Sequence, residues 1–192
     1  MKFIFIALIS YLLGNISFAY ILVKLIHKKD IREYGSGNAG ATNTLRTFGK
    51  KIGIAVFIGD VLKGIIAVLI GRYLGEQAGA YVAGVFAIIG HNWPAMLGFK
   101  GGKGVATTIG IMLFVNPLLT GICVLLGVLL IVFTRTVSLG SIFGMTLAPI
   151  VAVFIKPFDL GLLIFCLFIA SMSIYRHKSN IKRLLEGKEN KL

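Results

Sequence analysis

Apolar residues run along this chain in seven blocks, at 3–23, 52–71, 78–98, 104–115, 118–134, 137–155 and 158–175, with short polar stretches between them. A helix that crosses the hydrocarbon core of a bilayer needs about 20 mostly apolar residues. The pattern therefore predicts an all-α integral membrane protein. The run 104–134 reads either as one long span or as two short ones. Asn116-Pro117 in its middle favours a break, because proline disrupts the preceding turn and pushes its neighbour toward extended angles. The block 104–115 is short, which predicts a re-entrant or tilted segment.

Charge chooses between the two readings. The chain carries 20 Lys and Arg. With seven transmembrane helices and the N-terminus outside, Lys2, Arg72 and Lys156 fall outside and Lys63 falls within a span, which leaves 16 inside. Merging 104–134 into one span gives 10 inside against 9 outside. The excess of cations on cytoplasmic loops selects seven spans, N-terminus outside and C-terminus cytoplasmic, as a single polytopic domain over 1–192.

Composition agrees. Of 192 residues, 57% are hydrophobic, and the mean hydropathy is +0.91. A soluble domain of this length has no interior large enough for that much apolar surface. The net charge of +13 does not point to nucleic acid. The cations sit in short loops that flank apolar blocks, where orientation and anionic headgroups account for them. The start MKFIFIALIS resembles a signal peptide, with Ser17-Phe18-Ala19 as a loose cleavage site, but the apolar run continues through YILVKLI and reads as a retained span. Cys123 and Cys166 lie inside spans and read as apolar filler.

Three polar segments stand out: GSGNAGATNTLR at 35–46, GHNWPAMLGFKGGKGVATT at 90–108 and YRHKSNIKRLLEGKEN at 175–190. Under the seven-span topology all three are cytoplasmic, while the outer loops are short and chemically plain. In the first, Gly35, Gly37 and Gly40 can build a nest of backbone N–H groups for an anion. Ser36, Asn38, Thr42 and Asn43 add neutral donors, and Arg46 adds a planar fork suited to phosphate. In the second, Phe99 to Gly104 places Lys100 and Lys103 on a frame of Gly101, Gly102 and Gly104, ahead of a helix that starts near Gly104. It is not a nucleotide-binding P-loop: the spacing from Gly98 to Gly102-Lys103 is one residue short, and Gly104 stands where Ser or Thr would hold magnesium.

Trp93 reads as an interfacial anchor. His91 suits a structural or a site role equally. His177 and Asn180, at i and i+3, share a face if the last helix runs on past the membrane. Asp60 and Lys63, also at i and i+3, fall inside the second span and read as a mutual pair facing the bundle interior.

Taken in order, these segments resemble the three motifs of bacterial acyl-phosphate:glycerol-3-phosphate acyltransferases, the PlsY family. Gly35-Ser36-Gly37-Asn38, Gly40-Ala41-Thr42-Asn43 and Arg46 match the first. Gly90-His91 with Phe99-Lys100-Gly101-Gly102-Lys103-Gly104-Val105-Ala106-Thr107 match the second. His177, Asn180, Ile181, Arg183, Leu184, Gly187 and Glu189 match the third. One departure is the order Arg176-His177-Lys178, where the family often has His-Arg ahead of the asparagine.

The resemblance implies transfer of a fatty acyl chain from acyl phosphate to glycerol 3-phosphate, giving lysophosphatidic acid and inorganic phosphate. It implies the bacterial inner membrane, with the active site facing the cytoplasm. Membrane lipid and the upstream enzyme that makes acyl phosphate are the further partners. No cofactor and no metal is expected. The sequence agrees on one negative: the His-x4-Asp dyad of other glycerolipid acyltransferases is absent, since Met96, Arg32 and Lys182 stand at that distance from His91, His27 and His177.

Both substrates carry phosphate, so two anion cradles are what the reaction needs. Under the resemblance, Ser36, Lys103 and His177 are the catalytic candidates. Gly35, Gly37, Asn38, Gly40, Thr42, Asn43, Arg46, His91, Gly101, Gly102, Lys103, Gly104, His177 and Asn180 bind substrate or phosphate. Glycerol 3-phosphate falls mainly to Arg46, Lys103, His177 and Asn180, and the acyl-phosphate headgroup to the 35–40 backbone with Ser36 and Asn38. A mixed anhydride has a good leaving group and needs no acyl-enzyme. The hydroxyl proton goes either to a donor phosphate oxygen or to His177. A membrane transporter for organic phosphates is the alternative reading; it predicts an internal repeat and a charged outer mouth, neither of which is visible in the sequence.

Overall fold

The structure, a computed structural model, describes residues 1–191. Residue 192, the end of the domain read from the sequence, lies outside them. The chain divides into two compact units, Met1–Val115 and Asn116–Leu192.

In the first unit the apolar block 3–23 is not one helix. Helix α1 (Lys2–Asn15) stops, and α2 (Phe18–His27) restarts after Ile16 and Ser17. The Ser17 hydroxyl accepts from the Tyr20 N–H and caps the new helix. A break inside a membrane helix leaves carbonyls that water cannot reach, so side chains from elsewhere must satisfy them. A short 3-10 turn (Ile31–Glu33) and helix α3 (Ala41–Phe48) follow. Residues 35–46, read from the sequence as a polar connection, are therefore half helical.

Helix α4 (Lys50–Asn92) contains two of the apolar blocks. Non-helical angles at Gly75 and Glu76 turn the chain back on itself there. The two arms then meet so closely that a Cβ on Gly71 would run into the Gly79 carbonyl and the Ala83 side chain. The second arm ends at Asn92, six residues before the block at 78–98 does. Pro94 cannot continue the ladder and biases Trp93 away from helix, and Trp93 takes φ −134°, ψ 67°. Helix α5 (Val105–Val115) has 11 residues and spans about 16 Å, roughly half of a bilayer's apolar core.

Helix α4 is the centre of this unit, with α1, α2, α3 and α5 packed on it. The contacts are close to backbone on backbone. A Cβ on Gly90 would collide with the Tyr11 carbonyl, one on Gly64 with the Thr107 carbonyl, and one on Gly110 with the Val61 carbonyl. Lipid tails offer no hydrophobic drive for helix association, so such small-residue surfaces, where van der Waals contact is densest, carry the packing.

The second unit begins where the sequence places its break. Helix α6 (Pro117–Thr134) uses Pro117 as its first residue, and Asn116 caps it by accepting from the Leu119 N–H at 3.0 Å. Helix α7 (Val137–Phe154) packs on α6 through Gly140, whose Cβ would meet the Gly127 carbonyl. Helix α8 (Leu160–Arg176) is capped by Asp159 and packs on α7. Helix α9 (Lys178–Leu185) leaves α8 at 62°.

Among the described residues, four stretches are long and apolar enough to cross a membrane: Lys2–His27, Lys50–Leu97, Pro117–Thr134 and Val137–Phe154. The bent pair α8 and α9 makes a fifth if counted as one span. The Lys50–Leu97 stretch holds two of the seven apolar blocks, and α5 is one more. Leu8, Leu62, Phe133 and Phe154 remain exposed, as side chains that face lipid do.

Candidate active site

The first polar loop is organised by Asn43, in the first turn of α3. Its side-chain N–H groups reach the carbonyls of Tyr34 at 2.9 Å and Asn38 at 3.1 Å. Its oxygen accepts the Ser36 N–H at 2.9 Å. One buried amide thus closes residues 34–43 into a ring. Gly35 has φ +57° and its missing Cβ makes room for the Asn43 oxygen, so glycine is required there. The nest expected from the sequence is largely occupied: the Gly37 N–H goes to Tyr34 and the Gly40 N–H to Asn38. What the loop turns outward is the exposed Ser36 and, one helix face on, the exposed Arg46, with Asn38 and Thr42 half-buried.

Arg32 joins this loop to the second. Its guanidinium grips Asp30 (Nη2 to Oδ2, 2.6 Å) and donates from Nη1 to the Leu97 carbonyl at 2.8 Å. The hydrogen bond from Arg32 holds the Asp30 carboxyl below the usual range. From the sequence Arg32 counted only as one more cytoplasmic cation; a bridge over 65 residues has no local signature.

The second loop is seated on the end of α4. The Gly102 N–H bonds the His91 carbonyl at 3.1 Å. A Cβ on Gly101 would strike that same carbonyl, and one on Gly102 would strike the His91 ring at Nε2. Gly104 takes φ +81° just before α5 and lies against the buried Asn92 side chain. Lys103 is thereby carried on three glycines at the N-terminus of α5, half-exposed. The positive end of a helix and a lysine make a natural setting for an anion.

Beneath this loop, His91 is 6% exposed. The Lys63 ammonium lies 2.9 Å from its Nδ1 and 2.8 Å from Asp60 Oδ1. It also donates to the carbonyls of Ile16 at 2.6 Å and Gly14 at 3.1 Å, two of those left over by the break between α1 and α2. The Asp60–Lys63 pair read from the sequence forms, with His91 as a third member.

The third polar segment belongs to the second unit. Helix α8 does not run on past Arg176: His177 is the corner residue, and Asn180 lies in the first turn of α9. His177 Nδ1 sits 2.9 Å from the Ser173 carbonyl. A carbonyl only accepts, so Nδ1 carries the proton of this bond. Glu189 gathers this corner. It accepts from Asn180 at 2.7 Å, from Arg183 at 2.8 Å and from Ser138 at 3.0 Å. Burial pushes its carboxyl up, but those three hydrogen bonds and the Arg183 charge prevail and hold it below its ordinary value. A carboxyl lowered in this way stabilises the fold above the ordinary carboxylate range, and the contribution is lost as pH falls through the folded pKa. Glu189→Gln is therefore expected to destabilise the detergent-solubilised protein by about 1–3 kcal/mol at pH 7. The gap to the parent should close as pH falls through the lowered pKa of Glu189; thermal unfolding from neutral pH down through that range checks both points.

Helices of membrane-spanning length and glycine-framed basic loops define an all-helical integral membrane protein. Residues 4–187 match the family model described as glycerol-3-phosphate acyltransferase. The chain is 49% identical over 197 residues to the glycerol-3-phosphate acyltransferase of Clostridioides difficile strain 630, covering 100% of this chain and 96% of that one. It is 54% identical over 187 residues to that of Thermoanaerobacter pseudethanolicus, covering 97% and 93%. It is also similar to the crystal structure of PlsY (YgiH), an integral membrane glycerol 3-phosphate acyltransferase. The glycerol 3-phosphate form of that protein superposes with a TM-score of 0.93 at 37% identity, over 100% of this chain and 96% of the other. The lysophosphatidic acid form gives 0.90 at 36%, with the same coverage. The chain belongs to the glycerol-3-phosphate acyltransferase family.

Proposed function

We propose that this protein moves a fatty acyl chain from acyl phosphate to the free hydroxyl of glycerol 3-phosphate, releasing lysophosphatidic acid and inorganic phosphate. The observation that carries the reading is the pairing of two donor-rich loops, one with Ser36 and Arg46 and one with Lys103, tied together by the Arg32 to Leu97 bond. The solved relatives hold glycerol 3-phosphate and lysophosphatidic acid, the acceptor and product of this scheme.

In the reaction, the acceptor hydroxyl oxygen attacks the acyl carbon and the bond from that carbon to the phosphate oxygen breaks. The hydroxyl proton passes to the departing phosphate or, by the motif resemblance alone, to His177. No acyl-enzyme forms, because the anhydride is already activated. Arg46 and Lys103 bind the phosphate of glycerol 3-phosphate, with His177 and Asn180 added to that task by the motif resemblance alone. Ser36 and Asn38 hold the donor headgroup with the 35–40 loop. Lys103 also offsets negative charge that develops during transfer. Asn43, Gly35, Gly101, Gly102 and Gly104 act by shaping the loops.

Phosphate release by the purified protein tests the donor. Acyl phosphate with glycerol 3-phosphate should turn over, and acyl-CoA with glycerol 3-phosphate should not; equal rates would overturn the scheme. The acyl phosphate is passed on by the enzyme that makes it. We place the loops on the cytoplasmic side of a bacterial inner membrane, on seven spans with the N-terminus outside. Reporter fusions after Arg46, Lys103 and Arg135 should read cytoplasmic, and fusions after Gly75 and Asn116 external. An external reading at Lys103 sinks this orientation.

A further inference from the structure

We propose that Asp60, Lys63 and His91 form a positioning device that sets the place of Lys103, a proposal that rests on Lys103 binding the phosphate of glycerol 3-phosphate. None of the three is a catalytic residue in this account; they act through the loop above them.

Asp60 is 1% and Lys63 3% exposed, and taking two charges out of water is unfavourable unless their geometry is very good. The geometry here is directional. The three N–H groups of the Lys63 ammonium are matched by three acceptors, His91 Nδ1 and the carbonyls of Gly14 and Ile16, while Asp60 Oδ1 lies 2.8 Å away as the opposite charge. An ammonium only donates, so Nδ1 of His91 accepts and the ring proton lies on Nε2. That bond fixes the plane of the imidazole.

The loop rests on this ring from two directions. The His91 carbonyl takes the Gly102 N–H, and the ring edge at Nε2 lies where a Cβ of Gly102 would be. Lys103 is the next residue. The path is continuous and short: the broken end of α1, the Lys63 ammonium, the His91 ring, the Gly101–Gly102 backbone, Lys103. Apolar residues of the same volume would fill the space equally well, but they would not orient the ring. Orientation is what a phosphate-binding lysine needs, since misplacing a reacting group by about 1 Å can lose a factor of 10².

The test uses the full chain in detergent. Asp60→Asn with Lys63→Met removes both charges and strands neither. If the double variant folds, KM for glycerol 3-phosphate should rise about tenfold or more, while KM for acyl phosphate stays within about twofold, a window set well below the 10-fold step that 1.4 kcal/mol represents. A nitroxide attached at Phe99→Cys should become more mobile; Phe99 is 60% exposed, while Cys123 and Cys166 are buried. No change in either KM with an unchanged nitroxide spectrum overturns the proposal, as does an equal rise for both substrates. If the double variant does not fold, His91 decides. His91→Gln still offers Lys63 an oxygen and should keep most of the affinity, whereas His91→Leu should lose it; equal effects overturn the proposal. Lys103→Ala in the same assay separates this idea from its foundation. An unchanged KM there removes the phosphate role of Lys103, while the nitroxide still reports whether the cluster holds the loop.

Discussion

Arg46→Ala and Lys103→Ala are each expected to lower kcat/KM for glycerol 3-phosphate by about 10- to 150-fold. On the proposed assignment each removes a cation opposed to a phosphate, and a charge-assisted hydrogen bond is worth about 1.5–3 kcal/mol. Neither change leaves a cavity, because Arg46 is exposed and Lys103 half-exposed, so folding should survive. Arg46→Lys should restore only part of the loss: a point charge replaces a planar fork that can make two parallel bonds. Steady-state kinetics on well-folded protein decide the matter. Full kcat/KM in both alanine variants would remove the phosphate-binding reading of both loops.

Gly102→Ala is expected to be more damaging, about 100-fold or beyond, although it adds one methyl group and removes no charge. The new Cβ would overlap the His91 ring. Elsewhere such a clash is relieved by a side chain that swings away, at about 1–3 kcal/mol. His91 is held by Lys63 and cannot swing without breaking the buried cluster, so the loop must lift and carry Lys103 with it. Gly121→Ala in α6 is the control, since nothing lies within 4 Å of its Cβ position. Equal activity of the two variants would mean that the second loop yields freely.

Much of this was legible in the sequence, and the residues explain which part. Hydropathy located the apolar runs that fold as α1, α2 and α4 to α8, because burial in a bilayer demands continuous apolar blocks. Asn116-Pro117 marked a true helix end because its chemistry is local. Asp60 and Lys63 could be paired on paper because one helical turn separates them. Helix α3 escaped because Thr42, Asn43 and Thr44 are polar and weak in helix propensity and Arg46 adds no apolar signal, so hydropathy does not betray it. The break between α1 and α2 escaped because Asn15 and Ser17 are the only polar residues near it, too few to interrupt the apolar block at 3–23. Glu189 was read only as a matching letter of the third motif. Its role comes from Ser138, 51 positions away in sequence, and no spacing rule reaches that far.

The pairing of Asp60 with Lys63 within one helix bears on how the chain enters the membrane in the first place. An unpaired charged side chain at the centre of an inserting segment opposes partition into lipid by about 2.5–3.5 kcal/mol. Two residues one turn apart on the same helix meet as soon as that turn winds, before His91 has been synthesised and without waiting for Gly14 or Ile16 to dock. The second apolar segment therefore reaches the bilayer as an electrically neutral unit. Its charges become available to neighbouring helices only after the segment is already in place.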